Sequence, residues 1–193
     1  SKPALPAGHP QPEPQPQLPP GHPAPPSASP HGQAGADWPA AKAEDVDSLD
    51  SILKAYYAST SGPKGQPREW DRYRSLFAPD ARLIVVRPGV AEGMAAGFLT
   101  VNDFVETNKR YFERGGFIDK EVARRTDTFG AIAQVWSTYE SRHNEAEAQP
   151  YTRGITSIQL LKSGPRWYIL SVFWQSEGPD VTIPERYLSS PKE

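Results

Sequence analysis

The stretch from Tyr151 to Gln175, YTRGITSIQLLKSGPRWYILSVFWQ, decides the fold. Ile155, Ile158, Leu160 and Leu161 precede Ser163-Gly164-Pro165, and Trp167 to Trp174 is almost wholly apolar after it. β-Branched and aromatic residues around a short Gly/Pro turn predict a hairpin of two long strands. Apolar residues of both parities predict that both faces of this hairpin are covered.

Upstream of the hairpin, Lys120 to Phe129 and Ala131 to Arg142 read as two further strands separated by Gly130, and His143 to Gln149 is a polar loop before Pro150. Earlier still, Val101, Phe104, Val105, Asn108, Tyr111 and Phe112 mark a helix that ends near Gly115-Gly116. Thr100 with Asp103 spells a capping box at its start. Leu83 to Val86 reads as a buried strand, with a short strand near Phe98. Val46, Leu49, Ile52, Leu53, Tyr56 and Tyr57 follow helical spacing and predict a helix over 47–59. Trp70, Tyr73, Leu76 and Phe77 predict a second helix opened by Pro67 and stopped by Pro79. Consecutive long strands favour antiparallel pairs with the helices gathered on one face, an α+β domain.

The chain has 193 residues, 21 basic against 23 acidic side chains and no cysteine. This balance provides no global field for nucleic acid. No apolar run of about 18 residues is present, so no membrane span is expected. Without cysteine there is no disulfide, thiol catalysis or thiolate metal site. No Gly-rich phosphate loop, HExxH or GxSxG occurs, and no cofactor is expected.

Thirteen of the 22 prolines fall before Ala40, and Lys2 and Glu13 are the only charges before Asp37. Residues 1–44 are therefore expected to form a disordered, proline-rich arm. Residues 45–178 are expected to form the domain, and 179–193 a tail. Within the arm, LPAGHP from Leu5 is echoed by LPPGHP from Leu18. Imidazoles suit copper or nickel, which makes His9, His22 and His31 candidate ligands. A linker lengthened by duplication explains the repeat without a metal, and none is expected. Such a spacer suits export or tethering to a bacterial envelope or periplasm, with a cytoplasmic location left open. The start at Ser1 leaves a removed upstream segment as a further expectation.

The joins AYYAST (Tyr56, Tyr57), SLFAPDARL (Ser75 to Leu83), GFLTVNDF (Gly97 to Phe104), GAIAQVWSTYE (Gly130 to Glu140) and PRWYILSVFW, with the tail TIPERYL, resemble the NTF2-like superfamily. SnoaL-like cyclases, ketosteroid isomerase, scytalone dehydratase and limonene epoxide hydrolase are members. The resemblance implies a cystatin-like cone, in which a curved antiparallel sheet wraps three helices and leaves a pocket. It implies that Tyr56, Gln134, Trp136, Thr138, Ser157, Gln159, Leu170 and Trp174 face that pocket as a site for a small apolar ligand. Val135, Tyr139, Trp167, Ile169 and Phe173 would then face outward into a homodimer interface.

The chemistries of these relatives are not spelled out in the chain. Tyr56 matches the isomerase tyrosine. The isomerase base falls near Val85 to Arg87 and its second acid near Ser157, with no carboxylate at either place. The epoxide hydrolase residues fall at Trp136, Thr138 and Val172. Arg125-Thr126-Asp127 has the right spelling one strand too early and reads as a surface ion pair. The only histidine past the arm is His143, in a loop. Glu140 and Arg153 read as an ion pair at the rim. The expectation is a ligand-binding dimer without a standard catalytic set. The alternatives are a SnoaL-like isomerase, cyclase or dehydratase with Tyr56 as hydrogen-bond donor, and a protein-interaction module on a proline-rich tether.

Overall fold

The structure is a computed structural model that describes residues 38–89 and 93–189. The candidate ligands His9, His22 and His31 lie outside the described residues. Four helices, α1 (Ala43–Val46), α2 (Leu49–Thr60), α3 (Trp70–Ser75) and α4 (Val101–Gly115), pack on a six-stranded sheet. The strands are β1 (Phe77–Pro88), β2 (Met94–Thr100), β3 (Ile118–Phe129), β4 (Ile132–Arg142), β5 (Thr152–Ser163) and β6 (Arg166–Ser176). Their spatial order is β2-β1-β6-β5-β4-β3, in a curved sheet that does not close.

The expected hairpin is β5–β6, turning at Gly164, whose φ of 60° requires the left-handed region. Ser48 caps α2 by accepting from Ser51 N at 3.1 Å. The capping box on α4 is complete: Thr100 Oγ1 accepts from Asp103 N, and Thr100 N donates to Asp103 Oδ2. Two expectations are corrected. The second helix is shorter than its apolar spacing suggested, because Phe77 already opens β1, whose pairing with Ile169 of β6 pulls the chain into the sheet. The sheet is also not antiparallel throughout: β1 runs parallel to β6, which most of the domain, as a crossover, makes possible.

The core lies between the helices and the inner face of the sheet. Ile52 and Leu53 of α2, Tyr73 of α3, Val101 and Val105 of α4, Leu83, Val135, Ile158, Leu160, Ile169 and Val172 are all at most 1 % exposed. Full burial of such a side chain contributes about 1.5–3 kcal/mol. Trp38 and Ala41, within the segment assigned to the arm, also pack on this core. Two arginines fix the helical layer. Arg72 grips Asp45 with two bonds of 2.7 and 2.8 Å, tying α3 to α1. Arg68, almost wholly buried, donates to Gly62 O at 2.6 Å and Phe112 O at 2.7 Å, pinning the loop before α3 to the last turn of α4.

The assignment of sheet faces differs from expectation on two counts. In β4 and β5 the parity is reversed. Val135 and Tyr139 point toward the helices, while Gln134, Trp136, Ser157 and Gln159 point away from them. A one-residue slip in strand alignment moves every side chain to the other face, and the likeness to relatives is too distant to exclude such a slip. In β6 the parity changes midway. Leu160 pairs with Ile169, but the next pair is Gln159 with Ser171, so Leu170 is an extra residue in a β-bulge. Trp167 and Ile169 therefore point inward before the bulge, and Val172 and Trp174 point inward after it. Leu170 and Phe173 stay outside, 37 % and 43 % exposed.

Candidate functional site

The curvature of the sheet opens a cup of about 220 Å³ between α2, α4 and the far ends of β3 to β6. Its walls are aromatic: Tyr56 from α2, Phe104 and Phe112 from α4, Phe117 just before β3, Tyr139 from β4, Tyr151 ahead of β5, and Trp174 from β6. Phe112 and Phe117 stack with ring centroids 3.9 Å apart, and Phe104 meets Trp174 edge-on at 6.2 Å. Between these rings lie Asn108, Asp119, Ser141, Thr152, Thr156 and Ser176. Asn108 Nδ2 donates to Phe104 O at 2.8 Å, and the hydroxyls of Tyr139 and Ser176 are 2.9 Å apart.

Asp119 is the one charged residue in this lining. Its place is set by the backbone. The chain leaves α4 through Gly116, whose φ of 76° turns it sharply. Ser61, at the end of α2, then receives Asp119 N at 2.9 Å and donates to Asp119 O at 3.1 Å. The carboxylate faces the cup and accepts one hydrogen bond, from Ser141 Oγ at 2.7 Å. No cation meets it. Burial therefore raises its pKa to about 7, offset only partly by the Ser141 hydroxyl. Burial, and then the nearby Asp119 charge, push the Tyr56 phenol well above its ordinary range, and burial, followed by Tyr111 and Asp119, does the same to Tyr151. Tyr139 is pushed up to about 12 by burial. At neutral pH the cup thus holds one carboxyl poised between its two forms and three neutral phenols able to donate hydrogen bonds.

A second polar chain runs beside the cup. Tyr57 Oη lies 2.7 Å from Ser137 Oγ, and Ser137 Oγ donates to Glu121 Oε1 at 2.6 Å. Arg124 then pairs with Glu121 at 2.6 Å and with Asp50 of α2. This network is internally satisfied and clamps α2 to β3 and β4.

The residues expected in one pocket are divided among several places. Tyr56 and Trp174 line the cup. Trp136 and Ser157 line a groove of about 280 Å³ on the outer face, closed on one side by Val181, Ile183 and Pro184 of the tail. Gln134, Gln159 and Leu170 border a third hollow of about 380 Å³, with Phe129 and Ile132. Thr138 is on the outer face yet buried, because the tail lies over it and Tyr187 O accepts its hydroxyl at 2.5 Å. Of the residues expected at an outer interface, Val135, Trp167 and Ile169 belong to the core, and Tyr139 lines the cup. Phe173 is the one left outside.

Arg125 does not pair with Asp127 but donates to Arg186 O of the tail at 3.1 Å. Glu140 and Arg153 stand opposite each other, yet each has another partner: Arg142 at 2.9 Å and Glu177 at 2.7 Å. Asp119 escapes sequence reasoning because it sits one residue before the strand expected from Lys120. Its signal is the register itself, since Asp119 pairs with Ser141 across β3 and β4. Among the described residues, no group of three or more His, Asp or Glu side chains is gathered to hold a metal.

No protein-family model matches this chain, and the curated proteins contain no match to it. Solved structures do match. A protein of unknown function with a cystatin-like fold from Nostoc punctiforme PCC 73102 superposes with a TM-score of 0.51 at 14% identity, over 69% of this chain and 90% of its own. An uncharacterized protein with a cystatin-like fold from Caulobacter vibrioides gives 0.50 at 12% identity, over 69% and 90%. An NTF2-like protein of unknown function from Shewanella baltica OS155 gives 0.48 at 15% identity, over 67% and 90%. The class is thus a curved sheet wrapped on helices around an internal cup. The particular fold is the cystatin-like one of the Nostoc and Caulobacter proteins. Among the described residues no helix is long and apolar enough to cross a membrane.

Proposed function

We propose that this protein is a small-molecule binding module whose site is the inner cup, with Asp119 as its polar anchor. The carrying observation is the Asp119 carboxyl. It is set among aromatic side chains and supported by a single hydroxyl, that of Ser141. Aromatic walls around a few directed polar groups are the usual make-up of a ligand site. A carboxylate desolvated without a partner costs stability, and a ligand able to bond it offsets that cost. Native mass spectrometry of the purified protein, before and after release under denaturing conditions, tests the reading. A co-purified molecule lost from a Thr156→Trp variant, which fills the cup, is the expected result. Equal retention in that variant would place the molecule elsewhere.

A second reading rests on the approach of Asp119 to neutrality together with Tyr56 in the same cup. A carboxyl with a pKa near 7 suits proton transfer, and a buried phenol suits stabilising an enolate oxygen. Isomerisation, cyclisation or dehydration next to a carbonyl would use that pair. Deuterium uptake from D2O into the α-position of a small cyclic ketone, dependent on Asp119, is the measurement.

We also infer a homodimer through the outer sheet face, with a different set of residues from the one expected. Ile132, Trp136, Leu170 and Phe173 are 55, 38, 37 and 43 % exposed there, and apolar side chains gathered on one sheet face favour an interface.

A further inference from the structure

The ligand class can be narrowed from the charges and rings of the cup, an inference that rests on the reading of the cup as a binding site. We infer that the cup takes a small organic cation, a primary amine or quaternary ammonium group seated against the Asp119 carboxylate between aromatic rings.

Three observations converge on this chemistry. First, the lining contains one acid and no Arg, Lys or His, so an anionic ligand would find no counter-charge and would be repelled by Asp119. Fatty acids, phosphates and carboxylates are excluded on that ground. Secondly, two arginines of the neighbouring elements are already committed. Arg68 is bonded to Gly62 O and Phe112 O, and Arg124 to Glu121 and Asp50, so neither neutralises Asp119 from behind. The missing positive charge would have to arrive with the ligand. Thirdly, seven aromatic side chains contribute to the wall, and the faces of such rings attract a desolvated cation. The phenol and hydroxyl oxygens of Tyr139 and Ser176, with the amide of Asn108, offer acceptors for the N–H groups of an amine. A cup of about 220 Å³ limits the guest to a compact molecule.

A neutral carbonyl compound is the competing guest. It would accept from the Tyr56 or Tyr151 phenol rather than use the Asp119 carboxylate, and it would gain nothing from the absence of a cation in the wall.

The test uses an isosteric pair, phenyltrimethylammonium and tert-butylbenzene, which differ in charge and hardly in shape. Each is titrated into the full chain at pH 8.5, following tryptophan emission and heat. The expected result is a cation bound at least tenfold more tightly than its neutral isostere, with that preference lost in Asp119→Asn. Equal affinity, or a preference unchanged in Asp119→Asn, overturns the inference while leaving the cup a binding site. Failure of both probes to bind overturns the inference together with the binding reading. Should Asp119→Asn fold poorly, the isosteric comparison on the unaltered chain already decides.

Discussion

Ser141 Oγ donates to Asp119 Oδ1 at 2.7 Å from the directly opposite position on the neighbouring strand. The bond favours the ionised carboxyl, which burial disfavours. Ser141→Ala should therefore move the Asp119 pKa upward from about 7. The titration, followed by carboxyl carbon chemical shifts, should shift to higher pH. Folding stability should fall by about 1 kcal/mol, the usual net value of one such bond.

The same carboxyl predicts an unusual pH dependence of stability. Its folded pKa, about 7, is above the ordinary 3.8 that an unfolded chain would show. The folded state therefore binds the proton more tightly, and Asp119 stabilises most below pH 4. That contribution is lost as pH rises to about 7 and is flat beyond, with a span of order 4 kcal/mol at most. Asp45, held below its ordinary range by Arg72, works the other way at lower pH. Urea denaturation at pH 4.5, 6 and 8 on the native chain and on Asp119→Asn separates the two. The native chain should lose stability relative to the variant as pH rises.

The clamp between α2 and the sheet is open to a mutant cycle. Ser137 donates to Glu121, so Tyr57 must donate to Ser137. Tyr57→Phe should cost about 1–2 kcal/mol. Ser137→Ala should cost more, since it leaves the buried Tyr57 hydroxyl without its acceptor. The double variant should fall short of the sum in equilibrium denaturation.

The outer face provides a separate test of assembly. Phe173→Glu places a charge on that face, at a residue 43 % exposed. Light scattering should show a dimer converted to monomer with little change in melting temperature. Trp167→Asp should unfold the chain instead, since Trp167 is 8 % exposed and belongs to the core. An outer-face variant that remains dimeric would reject this interface.

Gly154 probes the shape of the cup. A Cβ there would meet Tyr139 Oη at 2.5 Å and would also press on Gln175 O. Gly154→Ala should displace Tyr139 and break its contact with Ser176, costing about 1–3 kcal/mol by overpacking. Near-ultraviolet circular dichroism should register the displaced tyrosine.

Much of this fold is written locally. The capping box at Thr100 and Asp103, the apolar stripe of α2 and the turn at Gly164 each depend on residues close in sequence, and each is readable there. The allocation of faces is not local. Whether Trp136 or Val135 points at the helices depends on strand register and on a bulge, and neither leaves a mark in composition. Helical spacing places Tyr56 on the apolar stripe of α2, and the resemblance, which aligns it with the isomerase tyrosine, implies its place in the cup. Asp119 was not legible, because its importance comes from Ser141, Tyr56 and Tyr139, which reach it only after three strands and a helix have assembled. One acid among 23 has no distinguishing neighbours in the chain.

The extra residue at Leu170 gives β6 two reading frames. Up to Ile169 the odd positions look inward; from Val172 the even ones do. Drawing the bulge flat with Leu170 kept in the ladder, while the turn at Gly164 holds the near end, would restore a single frame. Phe173 would then enter the cup, and Trp174 would join the outer surface. Losing the bulge would exchange the lining of the proposed ligand cup with the face proposed for a second subunit. The proposed binding and the proposed assembly would therefore be coupled through the phase of a single strand, and loss of the bulge would alter both together.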